Sequence, residues 1–438
     1  MSTLTQVSKA MQSVLTVEAN RLARQCGVVQ RARKLSGASL AQALVFGWLH
    51  RPDATIEQLA QMTAAGGKPV RPQALDQRFH ESTAHFFYKL LQAAVRQVVT
   101  ADPAAVALLQ RFEGLWLEDS TVIRLPTCFA DQWPACGGTN SQSKAALKLY
   151  VELELSSGRL VGPQCVPGRQ SDHRSTLAEA IPAGGIRVAD LGYFDLAQLQ
   201  ELATRGVYWI TRIQSSTGLY DEHGQPLDIA RLMQGREGTL DRSVRVGSRQ
   251  QLAARLIVRR APPEVVRKRR SRLEKEAIRR GRMVSQGQRN WCRWTVVVTN
   301  IPADQLSVHE ALVLLKMRWQ IELLFKRWKS LGQVGQSRSK NPWRVLIETY
   351  AKLLGMVIQH WLLLMAAWQY DDRSLAKASV AVQDHVLLLI DPLATGRRLT
   401  IALRRIADIL KATGRLQHRH TRPASYQLLK QPQLIDST

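Results

Sequence analysis

Acidic residues are scarce in this chain: 35 Asp and Glu stand against 61 Lys and Arg, a formal charge of +26 over 438 residues. That shortage favours a polyanionic partner, of which nucleic acid is the commonest, with a membrane surface as the weaker alternative. Cysteine is scarcer still. Cys26, Cys128, Cys136, Cys165 and Cys292 form no Cys-x-x-Cys pair, which argues against a structural zinc site, and an odd, sparse set suits a reducing cytoplasm. Long hydrophobic runs are missing too. The stretch from Met1 to Lys9 lacks the apolar core of a secretory signal. The most apolar stretch, Leu353 to Trp368, is short for a membrane span and carries Gln359 and His360, so it reads as a buried core helix. No internal repeat or long low-complexity segment is present. What the chain does have is a 45% hydrophobic content, enough for a large core in two or three domains.

The positive charge is spread along the chain. Its densest run, from Arg259 to Arg289, holds twelve Lys and Arg against Glu264, Glu274 and Glu276, about +9 of the total. Residues 1–110 read as helices. Thr55 to Met62, a turn at Gly66 and Gly67, and Pro72 to Arg78 have the look of a helix–turn–helix. From residue 115 the period changes. Leu115 to Asp119 and Thr121 to Leu125 read as strand, and Leu147 to Leu155 alternate before a turn at Ser156 to Gly158 and a partner strand from Leu160. A helix near 174–182, a strand Gly185 to Ala189, a helix near 195–205 and a strand Val207 to Ile213 complete a mixed α/β core over 111–214. Residues 215–305 read as a β-rich basic insertion, 306–415 as a long helix and further helices belonging to the core, and 416–438 as a loose polar tail. The capping box of Ser307 and Glu310 opens the long helix.

Two aspartates lie on apolar strands: Asp119, at the end or middle of one and followed by Ser120 and Thr121, and Asp190, which ends another and is followed by Leu191, Gly192 and Tyr193. Aspartate is a poor strand residue, although a turn-starting Asp at a strand end is common. Glu322 supplies a third carboxylate on the long helix. Arg318 precedes it by four residues and Lys329 follows by seven, offsets that return to one face of a helix. An exposed ion-pair stripe has the same spacing. Three carboxylates on a basic chain suit two hard divalent cations, Mg2+ or Mn2+, able to drive in-line displacement at a phosphodiester without a covalent enzyme nucleophile.

These three segments resemble the motifs of the insertion-sequence-four family of DDE transposases. Its glutamate motif is Tyr, two residues, Arg, three residues, Glu, six residues, Lys. Arg318, Glu322 and Lys329 match it, whereas Leu315 stands at the tyrosine position. The resemblance implies a ribonuclease-H-like mixed-sheet core with a mostly β insertion before the glutamate helix, flanked by helical N- and C-terminal regions. It implies Asp119, Asp190 and Glu322 as metal ligands for two ions per site, with Arg318 and Lys329 gripping DNA near the scissile phosphate. Lys326 lies in the same motif. Some relatives stack a flipped base on a tryptophan of the insertion, for which Trp291 and Trp294 are the candidates here; packing within the β domain is their other role. Arg212 and Lys148 lie in regions the family uses and are candidate phosphate contacts, as are Arg267, Lys268, Arg269 and Arg270 in the basic run. Asp172 reads as a loop carboxylate.

The expected activity is therefore cut-and-paste DNA transposition by a cytoplasmic, nucleoid-associated bacterial enzyme that binds terminal inverted repeats, with double-stranded DNA as partner at both transposon ends and target. Synapsis of two ends makes a homodimer the expected working form. A metal-dependent nuclease of the same fold, and a catalytically idle DNA-binding regulator, are the alternatives.

Overall fold

Nine strands carry the α/β part of the chain: β1 (Leu115–Leu125), β2 (Ala145–Glu154), β3 (Leu160–Pro167), β4 (Ile186–Ala189), β5 (Tyr208–Arg212), β6 (Leu219–Tyr220), β7 (Leu240–Val246), β8 (Leu252–Arg260) and β9 (Trp294–Thr299). In this computed structural model, which describes residues 1–29, 35–136, 144–236, 238–391, 393, 396–416 and 423–437, they form one mixed sheet in the order β3-β2-β1-β4-β5-β9-β8-β7-β6. By internal contacts the chain falls into two units. The first joins Met1–Ala105, Asp119–Leu177 and Trp319–His420; the second joins Val106–Glu118, Ala178–Arg318 and Thr421–Thr438.

The first unit is mostly helical. Its axis is the helix Pro342–Ala366, opened by Asn341, whose side chain accepts from the amides of Trp343 and Arg344, and by Pro342 at the first position. Nearly every residue from Leu346 to Leu364 is buried, because Gly37–His50, Glu81–Val95 and Gly396–Ala412 pack around it. The apolar run at Leu353 to Trp368 is thus core, and among the described residues no helix is long and apolar enough to cross a membrane. A capping box of Thr55 and Gln58 starts Ile56–Ala65, but the next helix, Pro72–Asp76, has only five residues. The expected helix–turn–helix therefore ends in little more than one turn. The β2–β3 turn is built by Glu154, whose carboxylate accepts from the amides of Ser156 and Ser157 at 2.7 Å each. Gly158 completes it at φ +71°, pressed against Leu364 and Trp368 so closely that a Cβ would clash.

In the second unit β1, β4 and β5 run parallel, while β9, β8, β7 and β6 continue antiparallel from β5. The strands of 215–305, expected as an inserted β domain, thus extend the same sheet, with Ile210 opposite Thr299 and Arg212 opposite Val297. The helix expected near 174–182 is instead two 3-10 turns, Asp172–Arg174 and Leu177–Ala180, separated by Ser175 in extended conformation. The basic helix Pro263–Arg279 buries no residue. The end of the chain differs from a loose tail: Ser425–Lys430 is helical, Leu428 and Leu429 are buried, and this helix packs on Val308–Met317. Beyond it Asp436 meets Arg259 at 2.8 Å and His309 at 3.1 Å.

Candidate active site

The register of two strands places the aspartates. β1 and β4 pair from Leu115 opposite Ile186 to Glu118 opposite Ala189. Asp119 is the next residue of β1, and Asp190 is the first residue after β4. Both aspartates therefore follow directly on the last paired positions of a parallel strand pair. The pair is locked from within the second unit: Arg187 Nε donates to Glu118 Oε2 at 2.8 Å, and a second guanidinium nitrogen lies 2.7 Å from the same oxygen. Both side chains are almost fully buried. Arg187 also lies 5.7 Å from the ring centre of buried Tyr193, so the tyrosine that closes the second aspartate motif packs the arginine holding Glu118. A 3-10 turn, Leu191–Tyr193, carries the chain away, with the Tyr193 amide donating to the Asp190 carbonyl at 2.9 Å. Asp190 is exposed, and Arg318 Nε stands 3.8 Å from its Oδ1, too long for a strong charge-assisted hydrogen bond.

In the first unit Asp119 Oδ1 accepts from the Ser120 amide at 2.8 Å. The Ser120 hydroxyl donates to Asp172 Oδ1 at 2.8 Å, and Lys148 Nζ reaches that same oxygen at 3.1 Å. Lys148 is buried in β2 and also donates to the Gln170 carbonyl. Glu322 sits in the first turn of the helix Trp319–Ser330, half-buried. Ile321, Leu324, Phe325 and Trp328 form the buried face, which leaves Lys326 and Lys329 outward. Lys329 is exposed by area, yet nearby protein desolvates its ammonium and lowers its pKa, with Asp119 acting in the opposite sense. The buried Arg327 guanidinium on the same helix is lowered by desolvation to about 10.

The stripe expected on one long helix is interrupted. Val308–Met317 ends at Arg318, and Trp319–Ser330 follows as a separate helix. Glu322 and Lys329 keep their helical relation; Arg318 is the residue of the break. Leu315 is only 7% exposed, so the position of the family's tyrosine is here a packed apolar side chain. Trp319, not singled out from the sequence, is 56% exposed one turn before Glu322. Its signal was available, since it falls outside the apolar stripe of its own helix.

Arg212 is exposed at the end of β5. Trp291 and Trp294 are half-buried, and Arg267 and Lys268 are exposed on the basic helix. Arg269 is tied down: its guanidinium donates to the Trp294 carbonyl at 2.8 Å and to Thr295 Oγ1 at 3.1 Å, and burial lowers its pKa. Arg270 beside it is half-buried. Among the described residues no three His, Cys, Asp or Glu side chains are gathered closely enough to enclose a metal ion. The donor chemistry of Asp119, Asp190 and Glu322 is nonetheless hard carboxylate oxygen, which fits Mg2+ or Mn2+ and not a thiol- or imidazole-seeking metal.

A family model described as "Transposase DDE domain" matches residues 113–358, a span that opens just before β1 and runs through the glutamate helix. The chain belongs to the DDE transposase family. It is 25% identical to the transposase for insertion sequence element IS231F of Bacillus thuringiensis subsp. israelensis, an alignment covering 93% of this chain and 91% of that one. It is 24% identical to the transposase for insertion sequence element IS1151 of Clostridium perfringens, over 78% of this chain and 76% of the relative. A shorter stretch of 101 residues is 36% identical to the putative transposase InsL for insertion sequence element IS186A of Escherichia coli, covering 23% of this chain and 27% of the relative. The resemblance read from the three motifs is thus met by an independent family match, and this DDE transposase has DNA as its partner. Its α/β sheet accords with that family.

Proposed function

We propose that this DDE transposase binds the terminal inverted repeats of a bacterial insertion sequence and moves the element by cut and paste. The observation that carries the reading is the shared register of β1 and β4, which puts Asp119 and Asp190 at equivalent positions just past the paired segment. On this reading the sheet is the ribonuclease-H-like core, and Glu322 completes the carboxylate set. Members of the family use divalent metal ions; Asp119, Asp190 and Glu322 would hold two of them, Mg2+ or Mn2+. Such ions, when bound, activate the attacking water or 3′-hydroxyl and stabilise the leaving oxygen.

The chain's own groups do the rest. Arg318 and Lys329 neutralise the non-bridging oxygens of the scissile phosphate, and Lys326 meets the backbone beside them. The partial desolvation that lowers the Lys329 pKa strengthens its attraction to a phosphate. The N-terminal helices of 1–110 and the basic helix take the end DNA, with Arg212, Arg267, Lys268 and Arg270 facing phosphates. Trp291 and Trp294 are the aromatic faces for an unstacked base. Two copies would act together on two ends.

The deciding experiment uses duplexes bearing the element's ends. Asp119→Asn, Asp190→Asn and Glu322→Gln should each abolish Mg2+-dependent cleavage while leaving end binding near the parent level. Precut ends should be joined to target DNA by the parent; cleavage without joining would make the protein a nuclease. Near-normal cleavage by any one variant would remove that residue from the site.

A further inference from the structure

Lys148 occupies the middle of β2, a strand buried along its whole length. It pairs with Asp172, which is only half-buried; an ion pair that desolvates one partner is a poor source of net stability, so its value lies in what it fixes. Here it fixes a loop. Lys148 Nζ holds the Gln170 carbonyl and the Asp172 carboxylate. Tyr150, on the same face of β2, donates its hydroxyl to the Ser171 carbonyl at 2.6 Å. Ser120 of β1 donates to the Asp172 oxygen that Lys148 also reaches, at 2.8 Å. Three consecutive residues, 170 to 172, are thus pinned by two strands, and one of the pins is the immediate neighbour of Asp119. The chain then makes a tight turn, Arg174 N to Ser171 O at 3.1 Å, and Arg169, His173 and Arg174 are exposed around it. Among the described residues the side chains of Arg169 and Arg174 make no hydrogen bond or ion pair. Cations held on a rigid turn, with their acidic neighbour Asp172 already engaged by Lys148, are arranged for an anion from outside.

We propose that Arg169 to Arg174 forms a phosphate-gripping loop for the DNA strand that enters at Asp119. Arg169 and Arg174 are the phosphate contacts, Asp172 is a positioning residue, and Lys148 acts through Asp172 without touching DNA. The inference rests on the reading of Asp119 as part of the active site, and it assigns the anchoring of the strand on that side.

The test is binding of the full chain to a fluorescent end duplex across a salt series, with thermal melting run on each variant. Each lost phosphate contact reduces the slope of log K against log salt by roughly 0.9. Arg169→Gln with Arg174→Gln should therefore flatten the slope by about 1.8 with the melting temperature unchanged, whereas Arg404→Gln, an exposed cation on the helix Gly396–Ala412 of the same unit, should leave it at the parent value. Asp172→Ala should flatten the slope as the double variant does. Asp172→Asn, which keeps an acceptor for Ser120, should restore part of it. A folded double variant with the parent slope would overturn the loop. An Asp172→Ala protein that melts lower but keeps the slope would reduce Asp172 to a structural residue and overturn its positioning role. Because the readout is binding, it is separable from the active-site reading: a parent that never cleaves would sink that reading and leave the slopes to decide the loop.

Discussion

Glu118 and Arg187 meet diagonally across a parallel strand pair, 2.8 Å apart and sealed from solvent, one directly before Asp119 and the other three residues before Asp190. Removing one partner of a buried pair strands the other charge, at a cost of about 3–5 kcal/mol. Arg187→Met should therefore lower the urea midpoint sharply. The combined Glu118→Leu and Arg187→Met protein should recover most of the loss, since two apolar groups leave nothing uncompensated. A single variant as stable as the parent would show that the pair does not hold the register.

The basic helix should divide by geometry. Arg267 and Lys268 are exposed, while Arg269 is bonded to the start of β9. Arg267→Gln with Lys268→Gln should flatten the salt slope of DNA binding by roughly 1.8 and leave melting alone. Arg269→Ala should instead loosen the helix from the sheet, seen as faster hydrogen exchange across Pro263–Arg279. An equal effect of all three on the slope alone would contradict this division.

Leu315 offers a third test. Because it is packed, at 7% exposure, Leu315→Tyr should overfill its site and cost about 1–3 kcal/mol. Leu315→Met, close in volume, should be nearly silent. Thermal melts of the two variants compare the costs, and a tyrosine variant as stable as the parent with faster end cleavage would restore the family's phosphate-contact role to this position.

His360 sets a pH dependence. Its Nε2 lies 2.7 Å from the Gly158 carbonyl, and desolvation, the largest cause, lowers its pKa to about 4, with Arg327 adding to the effect. The unfolded chain titrates near 6.5. Between these values the unfolded state binds a proton that the folded state refuses, so stability falls as pH drops from about 6.5 to about 4. The loss approaches about 1.4 kcal/mol for each unit of pH in that window. His360→Gln should flatten this part of the stability profile, whatever it does to stability at neutral pH; an unchanged acid slope would exclude His360 as its source.

Asp119 and Asp190 stood out in the sequence because each closes an apolar run, although only Asp190 follows a strand end while Asp119 lies within β1, and the Ser307 box marked its helix start because capping is local. The break at Arg318 was not readable: helical periodicity continues through it from Val308 to Ser330. The burial of Lys148 was hidden for another reason. Alternation in β2 assigns it to an open face, and its acidic partner lies 24 residues further on. Leu428 and Leu429 likewise look like an isolated apolar pair until Val308–Met317 covers them. Local chemistry showed through, whereas features created by distant segments did not.

The helices Glu81–Val95 and Pro342–Ala366 pack together in the first unit, although most of the chain separates them. During synthesis at 5–20 residues per second, the earlier helix waits roughly 12–50 s for the later one to begin. Phe86, Phe87, Leu90 and Leu91, all buried at the end, spend that interval without the cover that the later helix supplies, even though Ala19–Gln25 and β3 also pack on their helix. A chain stopped short of residue 342 would lack that cover permanently, and interrupted translation should yield a product more prone to aggregate than the full chain.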